Sequence, residues 1–365
     1  MKTAFVHDRI AHEGGAEAVL RELIRRDTHD EWAIFSYYSK QTRRRVDDKT
    51  YRIVTALPRR LNKWFIICNT RKFFLLSTLF DYRNLMFRFP LLTWRLSRKI
   101  KKYNPSNIII SSFAAVKNIN THIAPTTLYL HSPMQYIREN YKENIQKVWF
   151  PIKQLYMFAA QFLRPRDKKK RTYNKVFFNS EYTQKLWEKM YGLKWEVWYP
   201  PVDKAFNGSM ITDEIHGYFL FVWRIVKYVR EIDKIIRLFN AVKQHIIIVG
   251  DGPDMGYAQT IAGPTVVFTG RVDNVEEKKK LLQHARGYIN LAKESFGIGT
   301  AEALCCGVPI FGYQWWATGY FVDESNGYLV SEKDDKTLNE WFEKFVSMRF
   351  DRKNISEEAQ RKFFG

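Results

Sequence analysis

Cysteine is scarce in this chain, with Cys68, Cys305 and Cys306 the only three among 365 residues. Three cysteines cannot build a disulfide framework, and no Cys or His spacing suits a metal site. Cys305 and Cys306 are adjacent within an apolar run, which predicts buried thiols. Long hydrophobic runs are missing as well. The most apolar patches, Trp64–Cys68 and Phe73–Phe80, are separated by Arg71-Lys72, far below the ~18 apolar residues of a spanning helix. Met1-Lys2-Thr3 leads straight into the strand-like Ala4–His7, so no signal peptide is expected. No internal repeat or low-complexity segment is evident. These absences predict a soluble or peripheral protein in a reducing, cytoplasmic compartment. Negative charge is also in short supply: 38 Asp and Glu face 59 Lys and Arg, for a net charge of +21.

What is present starts with that positive charge. Basic stretches occur at Arg43–Arg45, Arg59–Arg60, Arg95–Lys102, Arg164–Arg171 and Lys278–Lys280, mostly in the first half. Such a surface attracts nucleic acid or anionic lipid. No DNA or RNA module accompanies it, and charge alone gives only salt-sensitive, nonspecific affinity for nucleic acid. Between Arg59 and Tyr103 basic and bulky apolar residues alternate, as in Lys63-Trp64-Phe65, Arg71-Lys72-Phe73-Phe74 and Met86-Phe87-Arg88-Phe89. That pattern predicts docking on an anionic membrane surface by the N-terminal domain. Core-facing helices with solvated backs would give a similar alternation.

The length exceeds what one hydrophobic core usually serves, so two domains are expected. Strand-like runs at Thr3–His7, Glu31–Ser36, Asn107–Ser111, Thr126–Leu130, Lys175–Phe178 and Glu196–Trp198 alternate with helical patterns at Ala16–Arg26, 60–102 and Glu181–Met190, with Pro90 interrupting the second. Pro200-Pro201-Val202-Asp203 reads as a linker. Strands then resume at Tyr218–Val222, His245–Val249, Thr265–Phe268, Gly287–Asn290 and Val308–Phe311, with helices at 231–243, 275–285 and 300–306. Strands alternating with helices imply parallel sheets, whose ligand sites lie at the carboxyl ends of the strands. The expected division is 1–203, a membrane-associating Rossmann-like domain; 204–350, a second Rossmann-like domain; and 351–365, a helix crossing back to the first domain. A cleft between two doubly wound α/β domains is the expected site.

The most specific motif runs from Glu294 to Pro309: Glu294-Ser295-Phe296-Gly297-Ile298-Gly299-Thr300-Ala301-Glu302, then Ala303-Leu304-Cys305-Cys306-Gly307-Val308-Pro309. A strand feeds a loop with two glycines, and a helix opens near Thr300. Its first amides and its dipole make an anion site. Gly297 and Gly299 let a ligand approach the backbone. The two carboxylates, one on the loop and one on the helix, can grip hydroxyl groups on either side of a bound phosphate. This segment resembles the paired-glutamate motif of family 4 glycosyltransferases, retaining enzymes with the GT-B fold. The resemblance implies that Glu294 faces the donor sugar, that Glu302 holds the nucleotide's ribose, and that Ser295, Phe296, Gly297, Ile298 and Gly299 contact sugar and phosphate.

Other segments fall in the order this resemblance implies. His12-Glu13-Gly14-Gly15 is similar to the Gly-Gly loop over the diphosphate, which assigns Gly14 and Gly15 to it. Ile248–Pro253 and Phe268-Thr269-Gly270-Arg271-Val272 resemble strand ends where the base rests, assigning Gly270, Arg271 and Val272. Tyr129–Ile137 and Ile109–Lys117 are similar to bacterial O-antigen and polysaccharide-type mannosyltransferases, which implies that His131 hydrogen-bonds the donor sugar. Arg224 takes the place of the family's phosphate-binding arginine. Two departures stand out: Trp223 where a glycine is usual, and Val229 or Arg230 where a lysine is usual. Arg230 supplies a positive charge in its place.

The implied activity is a retaining, metal-independent hexose transfer in cell-surface glycan synthesis, with GDP-mannose or a UDP-sugar as donor and a lipid-linked oligosaccharide or other glycan as acceptor. No Asp-x-Asp motif for a divalent ion is present. No cofactor is expected. The location implied is cytoplasmic, peripheral on the inner face of the cell membrane. A UDP-sugar-dependent enzyme of the same fold, or a non-catalytic glycosyltransferase-like binding protein, is the alternative.

Overall fold

Apolar, β-branched runs closed by polar turns become buried parallel strands in this chain, and amphipathic helices return between them. The computed structural model describes the chain except for residues 11–13, 30, 48, 59, 63–87, 135–136, 139–140, 142–144, 146–149, 151, 169–171, 193–194, 209–216, 227–230, 332–334 and 365. The basic-aromatic stretch from Lys63 to Phe87, His12, Val229 and Arg230 therefore lie outside the described residues. The chain divides into two units, Met1–Tyr199 and Pro200–Gly365.

The first unit holds β1 (Lys2–Ile10), α1 (Gly15–Arg26), β2 (Glu31–Ser39), β3 (Arg43–Val46), β4 (Lys49–Thr55), α2 (Phe89–Tyr103), β5 (Asn107–Ser112), β6 (Thr126–Leu130), α3 (Ile152–Lys168), β7 (Lys175–Phe178), α4 (Glu181–Tyr191) and β8 (Glu196–Val197). The strands form one sheet in the order β3-β4-β2-β1-β5-β6-β7-β8. All neighbours are parallel except β3 and β4, which form an antiparallel hairpin. Arg43–Arg45, read from sequence as a basic stretch, thus belongs to an edge strand in which Arg44 is buried.

Side-chain alternation sets what covers each face of this sheet. Ala4, Val6, Ala33, Phe35, Ile108, Ile110, Leu128 and Leu130 meet Leu92, Leu96 and Ile100 of α2, Tyr156, Ala160 and Leu163 of α3, and Trp187 of α4. The alternate residues Phe5, Ile34, Ile53 and Tyr129 meet Val19, Leu20, Leu23 and Ile24 of α1. Pro90 sits in the first turn of α2, where its missing N–H costs nothing. Asn104 ends that helix in the left-handed conformation, at φ 52°.

The second unit contains β9 (Tyr218–Val222), α5 (Ile232–Val242), β10 (His245–Val249), α6 (Met255–Ile261), β11 (Val266–Gly270), α7 (Val275–Gln283), β12 (Gly287–Asn290), α8 (Ile298–Cys305), β13 (Ile310–Tyr313), β14 (Gly327–Val330), α9 (Asp335–Ser347) and α10 (Arg352–Phe363). Its sheet runs β11-β10-β9-β12-β13-β14, parallel throughout. Phe219, Phe221, Ile246, Ile289 and Phe311 pack on Ile235, Ile236 and Phe239 of α5 and on Phe342 of α9. The terminal helix α10 packs on α8, where the Ser356 hydroxyl donates to the Cys305 carbonyl at 2.6 Å. Among the described residues, no helix is long and apolar enough to cross a membrane.

Candidate active site

In the second unit the loop between β12 and α8 is organised by Asn290, the last residue of its strand. Its amide donates to Glu294 Oε1 at 2.6 Å, to Thr300 Oγ1 at 2.7 Å and to Thr318 Oγ1 at 3.0 Å. Its carbonyl oxygen accepts from the Ala292 amide at 3.1 Å. A fully buried side chain with both ends satisfied rigidifies its surroundings, so Glu294 is held in place before any ligand arrives. The Glu294 carbonyl also accepts from Ala317. Sequence reasoning passed over Asn290. The signal was there: a polar residue closing an apolar strand, four positions before the loop carboxylate.

The turn into α8 requires glycine. Gly297 has φ 92°, and a Cβ there would stand 2.5 Å from Glu294 Oε1. Thr300 and Ala301 donate to the Gly297 carbonyl, so the amides of Ile298 and Gly299 precede the helix's own bonds and belong to its electropositive end. Glu302 lies one turn further in. It is buried and ion-paired with Lys278 of α7. Burial pushes its carboxyl above the usual range, and the Asp203 charge adds to this, while Lys278 pulls it back. Lys278 is a second residue that sequence reasoning used only as part of a basic stretch.

The other expected residues of this unit are distributed around the same sheet edge. Arg224 is exposed two residues past β9, the strand beside β12. Ser295 is half-buried, and the Phe296 ring packs against Phe321 and Phe363 at 5.8 and 5.9 Å, leaving its backbone to the loop. Gly270 closes β11 at φ 73°, and its carbonyl accepts from the Gly250 amide at 2.7 Å. Arg271 is exposed and pairs with Asp273 at 2.5 Å, and Val272 is half-buried. The close backbone approach at Trp223 is supplied from the opposite side. A Cβ on Gly250 would lie 1.9 Å from the Trp223 carbonyl, while the Trp223 ring packs against the apolar core.

In the first unit, polar groups gather at the carboxyl ends of β1, β5 and β6. Gly14 caps α1 and Gly15 begins it; both are exposed. His131 follows β6 and is buried. Its Nε2 lies 2.8 Å from Ser111 Oγ, and His7 Nδ1 lies 3.0 Å from the Ser111 carbonyl and 3.1 Å from its hydroxyl. A carbonyl only accepts, so His7 carries its proton on Nδ1. Ser111 thus links the two rings, its hydroxyl meeting Nε2 of His131. Burial lowers both imidazoles to about 3; His7 is also opposed by Arg44 and Arg9, with its Ser111 bond acting the other way. Both rings are neutral.

Asp8, next to His7, is consumed by structure. Its carboxylate accepts from Ser112 Oγ and from the amides of Phe113, Ala114, Ala115 and Val116, at 2.7–3.1 Å. Behind that turn, Lys117 reaches Asp167 of α3 at 2.6 Å and Arg138 reaches the same carboxylate at 2.8 Å. Burial alone would raise Asp167, but the two cations and their hydrogen bonds hold it below the ordinary range. This charge cluster ties the turn after β5 and the segment after His131 to one helix. Beside Asp8 a pocket opens, lined by Arg9, Arg88, Tyr37, Tyr38 and Phe113 among others.

Residues 212–362 match the family model for glycosyl transferases group 1. No curated protein matches the chain in sequence. Among solved structures, HepE from Anabaena in complex with UDP and glucose aligns at a TM-score of 0.64 and 16% identity, covering 100% of this chain and 95% of that one. WaaG, a glycosyltransferase involved in lipopolysaccharide biosynthesis, aligns at 0.64 and 13% identity, covering 98% and 94%. Sucrose-phosphate synthase from Thermosynechococcus elongatus aligns at 0.64 and 13% identity, covering 99% and 94%. Identities this low carry the fold alone. The fold is GT-B: two α/β units with mostly parallel sheets, the class expected from the sequence.

Proposed function

We propose that the chain is a retaining glycosyltransferase of the GT-B type, moving a hexose from a nucleotide sugar onto a lipid-linked or polysaccharide acceptor in cell-surface glycan synthesis. One observation carries this reading: a loop carboxylate, Glu294, held by Asn290, and a buried helical carboxylate, Glu302, bracket the electropositive first turn of α8. The match of residues 212–362 to glycosyl transferases group 1 supports it.

Transfer builds negative charge on the departing diphosphate and oxocarbenium character at the sugar carbon. Preorganised N–H groups and cations stabilise that distribution. In this reading the Ile298 and Gly299 amides, Arg224 and Arg230 meet the diphosphate, with no metal needed. Glu294 faces the sugar, Glu302 takes the ribose hydroxyls with Lys278 balancing its charge, and Gly270–Val272 border the base. In the first unit Gly14 and Gly15 close over the diphosphate. His131 presents a neutral imidazole, suited to hydrogen-bonding a sugar hydroxyl. The departing phosphate accepts the acceptor's proton. The pocket beside Asp8, with arginines over an aromatic lining, suits an anionic acceptor.

GDP-mannose is the first candidate donor, from the resemblance around His131. A UDP-linked hexose is the second, and the UDP and glucose bound to HepE support it. A lipid-linked acceptor places the enzyme on an anionic membrane surface, the inner face of the cell membrane. Thermal-shift binding against GDP, UDP and their sugar conjugates tests the donor reading, because a ligand specific for the folded state raises the melting temperature. A shift with GDP-mannose selects mannose, and a shift with UDP-sugars alone replaces it. The absence of a shift with every nucleotide would overturn the transferase reading.

A further inference from the structure

Helices α2 and α3 cover the same face of the first sheet, and each is buried along one side only. Their outer sides are unlike those of ordinary surface helices, which are polar. On α3, Leu155, Phe158 and Phe162 recur at helical spacing and are exposed; Phe158 is 67% exposed and its ring stacks on Phe162 with centroids 6.5 Å apart. Phe150, just before the helix, is exposed too. On α2, Leu91 and Trp94 are exposed in the same manner, and the Arg98 guanidinium lies 4.9 Å from the Trp94 ring centre. Large apolar side chains grouped outside the core mark an interaction surface.

The charge around them identifies the partner. Helix α2 contains Arg95, Arg98, Lys99, Lys101 and Lys102 and no acidic residue. Helix α3 has Lys153 near its start, and its one acid, Asp167, is buried against Lys117 and Arg138. The sequence then continues Lys168-Lys169-Lys170-Arg171. Apolar rings flanked by cations, with no exposed carboxylate on either helix, match the boundary between headgroups and acyl chains of an anionic bilayer.

We propose that the outer sides of α2 and α3 are the docking surface by which the first unit binds an anionic lipid bilayer, with Phe158, Phe162 and Trp94 as the inserted anchors. This deepens the function proposed above and rests on its membrane location, while assigning the contact to residues outside the Lys63–Phe87 stretch. Rings enter the interfacial layer, and Lys153, Arg98 and Lys99 meet lipid phosphates.

The test is co-sedimentation of the full chain with vesicles of phosphatidylethanolamine and phosphatidylglycerol, against vesicles of phosphatidylcholine alone. Wild type is expected to bind the anionic vesicles. Losing the two rings in F158S/F162S lowers the partition coefficient at least about tenfold, given the apolar area withdrawn from the interface. W94S gives an independent reduction from the other helix. Both variants replace exposed side chains, so their melting temperatures and nucleotide-induced shifts should equal those of wild type. Wild type that stays in the supernatant, or variants that bind like it, would overturn the proposal. So would a dimer in ultracentrifugation that F158S/F162S dissociates without changing vesicle binding, since a second copy would then cover this face. Vesicle binding with no nucleotide shift would sink the transferase reading and leave the docking surface standing.

Discussion

Two acidic residues, one in each unit, show why position in the hydrogen-bond network, rather than residue type, separates function from structure. Asp8 spends its lone pairs on a turn, whereas Glu294 has one oxygen fixed by Asn290. Replacing Glu294 with Ala should reduce sugar transfer by about 10²- to 10³-fold, the usual loss of a preorganised electrostatic contact, with nucleotide affinity little changed in calorimetry. Full turnover would remove Glu294 from the mechanism. The buried histidines make a second prediction. Their folded values, near 3, lie below the ordinary 6.5, so the unfolded chain binds more protons between those limits. Stability therefore rises with pH through this window and is complete above it. Each histidine contributes up to about 1.4 kcal/mol per pH unit within it. Urea titrations of His7→Gln across pH 4 to 7 should show a flatter slope than wild type.

At the level of elements, the sequence was most legible where pattern and burial agree. Asn107–Ser111 and His245–Val249 are β-branched runs, and they are central strands paired on both sides. Arg43–Val46 was not legible as a strand, because one of its two inward positions is an arginine, leaving Val46 as its only apolar residue. Pro90 lies in the first turn of α2, so among the described residues the expected interruption marks the start of that helix. The loop motif was readable from its two glycines, but Asn290, which holds it, acts through contacts formed only on folding. Two changes probe these elements. Gly297→Ala forces a Cβ into Glu294 at a positive φ and should cost about 1–3 kcal/mol, together with donor affinity, in denaturation and binding measurements. Asp167→Asn leaves Lys117 and Arg138 without their buried counter-charge and should cost about 3–5 kcal/mol in urea unfolding. A loss of under about 1 kcal/mol would mean the cluster is solvated, unlike most buried pairs.

For the whole molecule, charge is the dominant fact. With +21 spread over 365 residues, attraction to anionic vesicles should weaken steeply as salt shortens the Debye length from about 10 Å to about 3 Å. Neutralising Arg95, Arg98 and Lys99 should reproduce that loss at low salt while the nucleotide-induced thermal shift stays constant; unchanged vesicle binding would contradict the electrostatic part of the docking. The adjacent thiols of α8 carry a different consequence. Cys305 and Cys306 are fully buried, and burial raises both, Cys306 to about 12, so neither is a nucleophile while the helix is seated. Alkylation of this pair, followed by mass spectrometry, thus clocks the unseating of the helix capped by Gly297. A donor bound at that helix's start would slow the clock in proportion to its occupancy, so the pair turns an interior of the molecule into a native timer of site opening.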